Sequence, residues 1–230
     1  DLVNILHVGR NEEEGYFYYI MELADDQAEG SSINPDEYEP KTLRSELIAR
    51  GCFTTKECLE EGQLLAGGLG YLHECGLAHR DVKPANIIYI KGKPQHADIG
   101  LVKAMDDSVS LVGTIRYVPL EGPGRPTGDI FSLGKVLYEM FTGLDRTDFP
   151  TLPDSFKENE QLNQAHLNQV IFKACEHQAE DRYQDTESLV LDMQLIERGE
   201  TPLLGAKRAS PRKIVTYAVA VVLVLLGGLF

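Results

Sequence analysis

Four polar residues in the stretch 79–100 have the types and the spacing needed to move a phosphoryl group from a metal-bound nucleotide to a hydroxyl. Asp81 is followed by Lys83 and Asn86, and Asp98 comes after two short strand-like segments. In such a transfer a carboxylate accepts the hydroxyl proton and a cation neutralises the phosphoryl oxygens. An amide and a second carboxylate hold the metal ions. The spacing therefore indicates phosphoryl transfer as the chemistry of this stretch.

The elements around these residues must bring Asn86 and Asp98 to one place. The apolar run 87–90, the Lys-Gly turn at 91–92 and the segment 96–97 predict a tight β-hairpin between them. The two ends of a hairpin lie side by side, so both side chains are expected at one small cavity, where they reach the same cation. The competing interpretation is a set of turn residues without chemistry, because Asp, Asn and Pro are common in turns.

The sequence H-R-D-V-K-P-A-N, followed by D-I-G, resembles the catalytic loop and the metal-binding loop of protein kinases. Its lysine is the form found in Ser/Thr kinases. The resemblance implies that Asp81 orients and deprotonates the substrate hydroxyl and that Lys83 steadies the transferring phosphoryl group. Asn86 and Asp98 would bind Mg²⁺ for ATP. Ile99 stands where the family has Phe and keeps an apolar residue there.

Three further motifs of the same family follow in order. The sequence G-T-I-R-Y-V-P-L-E, at 113–121, resembles G-T-x-x-Y-x-A-P-E, with Pro and Leu in place of Ala and Pro. The pattern D-x-x-S-L-G resembles the central kinase helix, and the resemblance implies that Asp129 accepts hydrogen bonds from the catalytic-loop backbone. In kinases an arginine at the place of Arg182 pairs with the glutamate of A-P-E, here Glu121. Breaking a buried pair of this kind from one side costs about 3–5 kcal/mol.

The resemblance also implies a regulatory segment. His79 opens the H-R-D motif, and an arginine such as Arg80 pairs in the family with a phosphorylated residue of the activation segment. Ser108 and Ser110 are the candidate phosphorylation sites, and Thr114 is expected to contact the catalytic aspartate and lysine directly. A phosphate opposite an arginine orders a loop through charge-assisted hydrogen bonds. A loop that is equally ordered and active without phosphate would contradict this expectation.

The start of the chain predicts a β-hairpin. Residues 2–8 and 16–21 are rich in β-branched and aromatic residues, and the polar segment 9–15 separates them. By the resemblance this hairpin is the last strand pair of the kinase N-terminal lobe. The acidic segment 25–41, with its prolines and glycine, is predicted to be an exposed loop.

The resemblance places the adenine-binding hinge directly after this hairpin, with Met21, Glu22 and Ala24 as contacts to ATP and Ile88 beneath the adenine ring. The family's glycine-rich loop, strand lysine and helix glutamate do not occur before the hinge. We therefore expect a fragment that lacks most of the N-terminal lobe and transfers phosphate poorly by itself. Robust autophosphorylation by these residues alone would contradict that.

Helices are predicted at 42–50, 55–74, 129–142, 163–175 and 186–196, with loops and a weak helix at 143–162. Two other interpretations of the second helix and its end are rejected. The glycines at 67–70 lie inside helical periodicity, whereas a phosphate-binding glycine loop follows a strand. His73, Cys75 and His79 have no fourth ligand at a suitable spacing for zinc.

Composition excludes some functions. The chain of 230 residues carries 22 basic and 36 acidic residues, a net charge of −14. A nucleic-acid-binding protein usually presents a basic face, so we expect no nucleic-acid partner. The four cysteines show no C-x-x-C spacing and are predicted to be reduced and mostly buried.

The end of the chain changes character. A Pro/Gly-containing linker at 198–213 precedes the uncharged apolar run 214–230. A helix of that length rises about 25 Å, at the short end for crossing a bilayer. Cations before the run place the linker on the cytoplasmic side. A single-pass membrane helix is therefore predicted, in preference to a buried core helix; the cations are Lys207, Arg208, Arg212 and Lys213.

Taken together, the sequence predicts an α+β fold that resembles bacterial membrane-anchored Ser/Thr kinases. Residues 1–24 would end the N-terminal lobe, 25–197 would form the C-terminal lobe, 198–213 the linker and 214–230 the membrane helix. The expected localisation is the cell membrane, with the kinase portion cytoplasmic. The expected partners are protein substrates with Ser or Thr, the membrane and a second copy in a homodimer.

Two alternatives remain at this point. A membrane-tethered pseudokinase would keep the fold as a binding module, although a scaffold has no physical need for all four catalytic and metal residues. A kinase for small molecules is disfavoured because the helices after residue 122 resemble the protein-kinase arrangement.

Overall fold

The structure is a computed structural model that describes residues 2–12, 14–98, 103–104, 117–154, 156 and 162–205. Two strands come first and two helices follow them: β1 (Ile5–Asn11), β2 (Tyr16–Met21), α1 (Leu43–Arg50) and α2 (Thr55–Glu74). Short strands surround the catalytic stretch: β3 (Leu77–Ala78), β4 (Ile87–Ile90), β5 (Lys93–His96) and β6 (Lys103–Ala104). Three helices lie after it: α3 (Pro126–Thr142), α4 (Leu162–Ala174) and α5 (Thr186–Glu197).

Helix α3 lies at the centre of the core. Its residues are apolar on nearly every face, as predicted, and between Gly128 and Thr142 only Phe131 keeps partial exposure. Helices α2 and α4 pack against α3, and α5 packs against α2 and α4. Strand β5 lies against α2. The strands of the catalytic stretch therefore rest on α2, which packs on the buried α3.

The first two helices begin at capping boxes. Thr42 and Ser45 satisfy each other's backbone N–H groups at α1, and Thr54 and Glu57 do so at α2. The backbone and hydroxyl of Thr54, together with Arg50, lower the pKa of the Glu57 carboxyl to about 2. Each cap pairs N–H groups that the helix itself leaves without partners.

The described strands form three antiparallel pairs. Strands β1 and β2 pair with Val8 opposite Tyr19, and β4 and β5 pair with Ile87 opposite His96. The third pair, β3 with β6, was not predicted, since strands of two residues give no periodic signal. The first hairpin also differs from its prediction, because β1 continues through residues that were assigned to the loop.

The predicted helices are confirmed with small shifts at their ends. Helix α2 has the predicted bounds, and α3 begins three residues before Asp129, with Pro126 in its first turn. Proline is favoured at that position because its missing N–H would be unpaired anyway.

Two predictions about burial were partly wrong. Asp25 and Asp26, in the segment predicted as an exposed loop, are buried, because each carboxylate accepts hydrogen bonds from nearby N–H groups. Among the cysteines, which are all free, Cys52 and Cys75 are exposed, and only Cys58 and Cys175 are buried.

No helix within the described ranges is both long enough and apolar enough to cross a membrane. The apolar run 214–230 lies outside those ranges, so the membrane helix stays a prediction.

The glycines of α2 have different surroundings. A Cβ atom at Gly70 would lie 2.6 Å from Thr186 Oγ1, and one at Gly62 would lie 3.0 Å from Leu137 Cδ2. A Cβ atom at Gly67 would meet nothing within 4 Å. Gly62 and Gly70 therefore permit close helix contacts, whereas Gly67 only weakens the helix.

We expect Gly67→Ala to raise the free energy of unfolding by up to about 1 kcal/mol, since alanine is the better helix former. Gly70→Ala should lower it, because the added methyl group collides with the buried Thr186 side chain. Urea denaturation of the two variants checks this. Equal changes of the same sign would contradict the packing role assigned to Gly70.

Candidate active site

Three of the four predicted residues form one hydrogen-bonded cluster. Asp81 Oδ2 accepts from Lys83 Nζ at 2.6 Å and from Asn86 Nδ2 at 2.9 Å. The same Asn86 nitrogen donates to the Asp81 carbonyl oxygen at 3.0 Å. Asp81 is 7% exposed and Asn86 is 8% exposed, so these bonds form away from bulk water. Low local polarity strengthens such charge-assisted bonds.

The hairpin of β4 and β5 positions the fourth residue. A single 3₁₀ turn, Pro84–Asn86, leads into β4, and the Asn86 carbonyl accepts from the Ala97 N–H at 2.8 Å. This bond extends the hairpin by one pair, so Asp98 follows directly at the same end as Asn86. The predicted juxtaposition of the two ends is therefore present in the backbone.

Asp98 is exposed and has a left-handed backbone, with φ of 55°. A non-glycine residue in this conformation is uncommon and is often found at functional sites. Burial of the Tyr19 hydroxyl on β2, together with the nearby Asp98 carboxylate, raises the pKa of Tyr19. Tyr19 was not predicted as a site residue, and nothing in its local sequence distinguishes it from its neighbours.

Asn86 and Asp98 together offer a suitable donor set for Mg²⁺. Asn86 Nδ2 is committed to Asp81, which leaves the amide oxygen as its metal ligand. Within the described ranges no three His, Cys, Asp or Glu side chains form a metal-binding group. Mg²⁺ in nucleotide sites commonly uses one or two protein oxygens and completes its shell with phosphates and water. One amide and one carboxylate fit that requirement.

Asp129 supports the catalytic loop from α3. Its carboxylate accepts from the His79 N–H at 2.8 Å and from the Arg80 N–H at 2.9 Å. His73 Nε2 lies 2.9 Å from the same carboxylate. Asp129 is 1% exposed, and a buried carboxylate without these partners would be strongly destabilising.

Arg80 is buried and has φ of 71°, a second left-handed residue in the site. Its Nε and Nη2 atoms have no hydrogen-bond partner among the described residues. A Cβ atom at Gly124 would lie 3.2 Å from Nη2, so a glycine there leaves room for the guanidinium group. Ser108, Ser110, Thr114 and Ile99 lie outside the described ranges, and their assigned roles stay predictions.

His79 packs on a second histidine that the sequence did not single out. The His79 and His96 rings are 5.2 Å apart, and neither residue is exposed. Burial lowers the pKa of both imidazoles. His96 Nε2 lies 2.9 Å from the Leu65 carbonyl oxygen, which fixes strand β5 against α2. Both rings therefore act as neutral packing groups beneath the catalytic loop.

Of the predicted hinge residues, Ala24 lies next to Ile88. Ala24 and Ile88 belong to one small buried cluster with Val3, Ile90 and Ala97. Met21 ends β2, and Glu22 donates its N–H to the Asn4 carbonyl oxygen at 3.0 Å. The Ala24 carbonyl accepts from the Tyr38 hydroxyl at 3.2 Å.

Asp25, directly after the predicted hinge, connects this segment to the turn of the β4–β5 hairpin, and the sequence did not predict this role. Its carboxylate accepts from the N–H groups of Lys91 and Gly92 at 2.9 and 2.7 Å. Asp26 accepts from Ala28 and Glu29, which are two and three residues further along. That second pattern is a side-chain turn typical of aspartate, and the D-D-Q-A-E-G sequence could have indicated it.

Arg182 and Glu121 form the pair that the resemblance implied. The guanidinium group makes two bonds to the carboxylate, through Nη1 to Oε1 and Nη2 to Oε2. Burial is the largest single influence on the pKa of Glu121 and raises it, but the bond to Arg182, the residue's own backbone N–H and the charges of Arg182 and His177 together outweigh burial, so the pKa is lowered. Arg182 also donates to three carbonyl oxygens, those of Glu176, Thr127 and His177. Only one partner of the pair is buried: the Arg182 side chain is 1% exposed, whereas the Glu121 side chain is 37% exposed.

This asymmetry predicts unequal effects. Arg182→Met should lower the free energy of unfolding by about 3 kcal/mol, because it removes a buried guanidinium group that bonds Glu121 and three partly buried carbonyls at once. Glu121→Gln should lower it by about 1 kcal/mol or less, since water reaches that side chain. Urea denaturation measures both, with the exposed Arg198→Met as control. A larger effect for Glu121→Gln than for Arg182→Met would contradict the assignment.

Comparisons with known proteins identify relatives of this chain. A probable serine/threonine-protein kinase of Clostridium perfringens is 29% identical over 91% of this chain and 31% of its own length. The serine/threonine-protein kinase PknB of Mycobacterium tuberculosis is 32% identical over 74% of this chain and 32% of its own length. The chain thus spans about a third of the length of these curated relatives. The model of the protein kinase domain matches residues 3–207, and the chain therefore belongs to the protein kinase family.

Proposed function

We propose that this chain is the catalytic portion of a Ser/Thr protein kinase, which transfers the γ-phosphoryl group of ATP to a protein hydroxyl. The observation that carries the proposal is the hydrogen-bonded cluster of Asp81, Lys83 and Asn86. The catalytic loop holds a cation and a metal ligand in contact with the base, since Lys83 and Asn86 both bond the Asp81 carboxylate. The relatives named as serine/threonine-protein kinases support the same activity.

In the proposed reaction Asp81 accepts the proton of a Ser or Thr hydroxyl. The hydroxyl oxygen forms a bond to the γ-phosphorus while the bond from phosphorus to the leaving ADP oxygen breaks. Lys83 is bonded to Asp81 and supplies positive charge next to the transferring group. Preorganised charge of this kind stabilises the transition state without further rearrangement.

Two residues would hold Mg²⁺, namely Asn86 through its amide oxygen and Asp98 through its exposed carboxylate. When bound, the ion would neutralise phosphate charge. Met21, Glu22, Ala24 and Ile88 are proposed as the adenine side of the ATP site. The left-handed backbone at Asp98 is consistent with a residue held for function.

Asp81→Asn tests the activity directly. Asparagine cannot accept the proton, so we expect transfer from radiolabelled ATP to a Ser/Thr protein substrate to fall by at least about 100-fold. The assay uses the protein as the cell makes it, with Asp36→Asn in the exposed segment as control. Unchanged transfer would refute the proposed role of Asp81. Loss of transfer with unchanged biological output would instead favour a scaffold.

We also propose that residues 214–230 anchor the protein in the cell membrane, with residues 25–197 in the cytoplasm. The support is the absence of charge in this run and the four cations at 207–213 that precede it. Deletion of 214–230 should move the protein from the membrane fraction to the supernatant after cell lysis. In a companion variant the four cations are exchanged for glutamine. This variant should insert in the membrane with a weaker preference for residues 25–197 on the cytoplasmic side. Retention of the deletion variant in the membrane fraction would contradict the proposal.

A further inference from the structure

A cavity of about 400 Å³ lies away from the catalytic cluster, between α3, α4 and the loop that follows α3. Its size falls in the range of small-molecule sites, about 300–1,000 Å³. The walls are mainly apolar, and the side chains that matter here are Leu120, Phe131, Phe149, Phe172 and Lys135. The proposed kinase reaction uses none of them.

Lys135 places a buried ammonium group at this otherwise mainly apolar cavity. It projects from the central helix α3 and is only 9% exposed. Its ammonium group makes one long hydrogen bond, 3.5 Å to the Arg146 carbonyl oxygen. No carboxylate of the described residues forms an ion pair with it. An ammonium group has three N–H donors, so its bonding capacity is largely unused.

Aromatic rings hold the ammonium group in place. Lys135 Nζ lies 3.9 Å from the centre of the Phe149 ring and 5.5 Å from that of Phe131. Such contacts partly compensate for lost hydration. Burial nevertheless lowers the pKa of Lys135. The charged form would be stabilised further by an anion that reaches it through the cavity.

The other polar groups around the cavity do not supply an anion that pairs with Lys135. Arg182 is engaged by Glu121 and by three backbone carbonyls. Burial raises the pKa of the Cys175 thiol to about 12, so a neutral thiol faces the lysine. Glu176 is exposed at the rim, where its negative charge would repel a multiply charged anion. The cavity therefore favours a single negative charge on an apolar body.

We propose that this cavity binds an apolar monocarboxylate, with the carboxylate on Lys135 and the apolar body against Phe149, Phe172 and Leu120. The ligand chemistry is an aryl or alkyl group attached to one carboxylate. Two sources share it: a free small acid, and the C-terminus of a peptide that ends in a large apolar residue. Leu120 is 86% exposed and supplies apolar contact area at the mouth for either source.

Isothermal titration of the protein tests this with matched ligand pairs. The first pair is 4-phenylbutanoate and its neutral amide, and the second is acetyl-Gly-Gly-Phe with a free or an amidated C-terminus. We expect at least one acid to bind about tenfold or more tightly than its amide, a difference that one charge-assisted bond readily supplies. Binding of only the small acid, or only the free peptide, identifies the source.

Two variants assign the interactions. Lys135→Met should abolish the preference for acid over amide, whereas Lys56→Met at an exposed position of α2 should keep it. Phe172→Ala, on the cavity wall, should weaken the binding of acid and amide alike. This variant tests the cavity if Lys135→Met fails to fold. The proposal is overturned if neither acid binds, if acid and amide bind equally, or if both cavity variants bind as the unchanged protein does.

Discussion

The catalytic loop depends on one buried carboxylate. Asp129 stands on the central helix and accepts the N–H groups of His79 and Arg80, where the chain enters the left-handed conformation. Each of these N–H groups would otherwise be buried without a partner, at about 1–3 kcal/mol each. The strained backbone at Arg80 is thus held by bonds that start in the most buried part of the core. The cluster around Asp81 follows directly and takes its position from this support.

A second layer of support comes from residues without chemistry of their own. The neutral His79 and His96 rings fill the space beneath the loop, and the Leu65 carbonyl fixes His96 against α2. Asp25 connects the hinge to the β4–β5 turn through two backbone N–H groups. The segment around Asp25, the β4–β5 hairpin and helix α2 are therefore linked by hydrogen bonds from buried polar groups, so that each limits the movement of the others.

The sequence predicted the helices and the cluster because both depend on local spacing. Thr54 and Glu57 mark the start of α2, and Asp81, Lys83 and Asn86 lie within one turn-rich loop that brings them together. Contacts between distant segments were harder to predict. Tyr19 reaches Asp98, and Asp25 reaches Lys91, across long sequence separations that leave no periodic signal. Lys135 was assigned only to a buried helix, since its place beside a cavity depends on how α3 and α4 pack.

We propose that Asn86 and Asp98 bind one metal ion beside the Asp81–Lys83 pair. A crystal structure of the protein with Mg²⁺ and a non-hydrolysable ATP analogue tests it most directly. We expect a metal ion about 2.1 Å from the Asn86 amide oxygen and from an Asp98 carboxylate oxygen. We also expect the γ-phosphate within hydrogen-bond distance of Lys83. A nucleotide bound elsewhere, or a metal ion held without either residue, would contradict it.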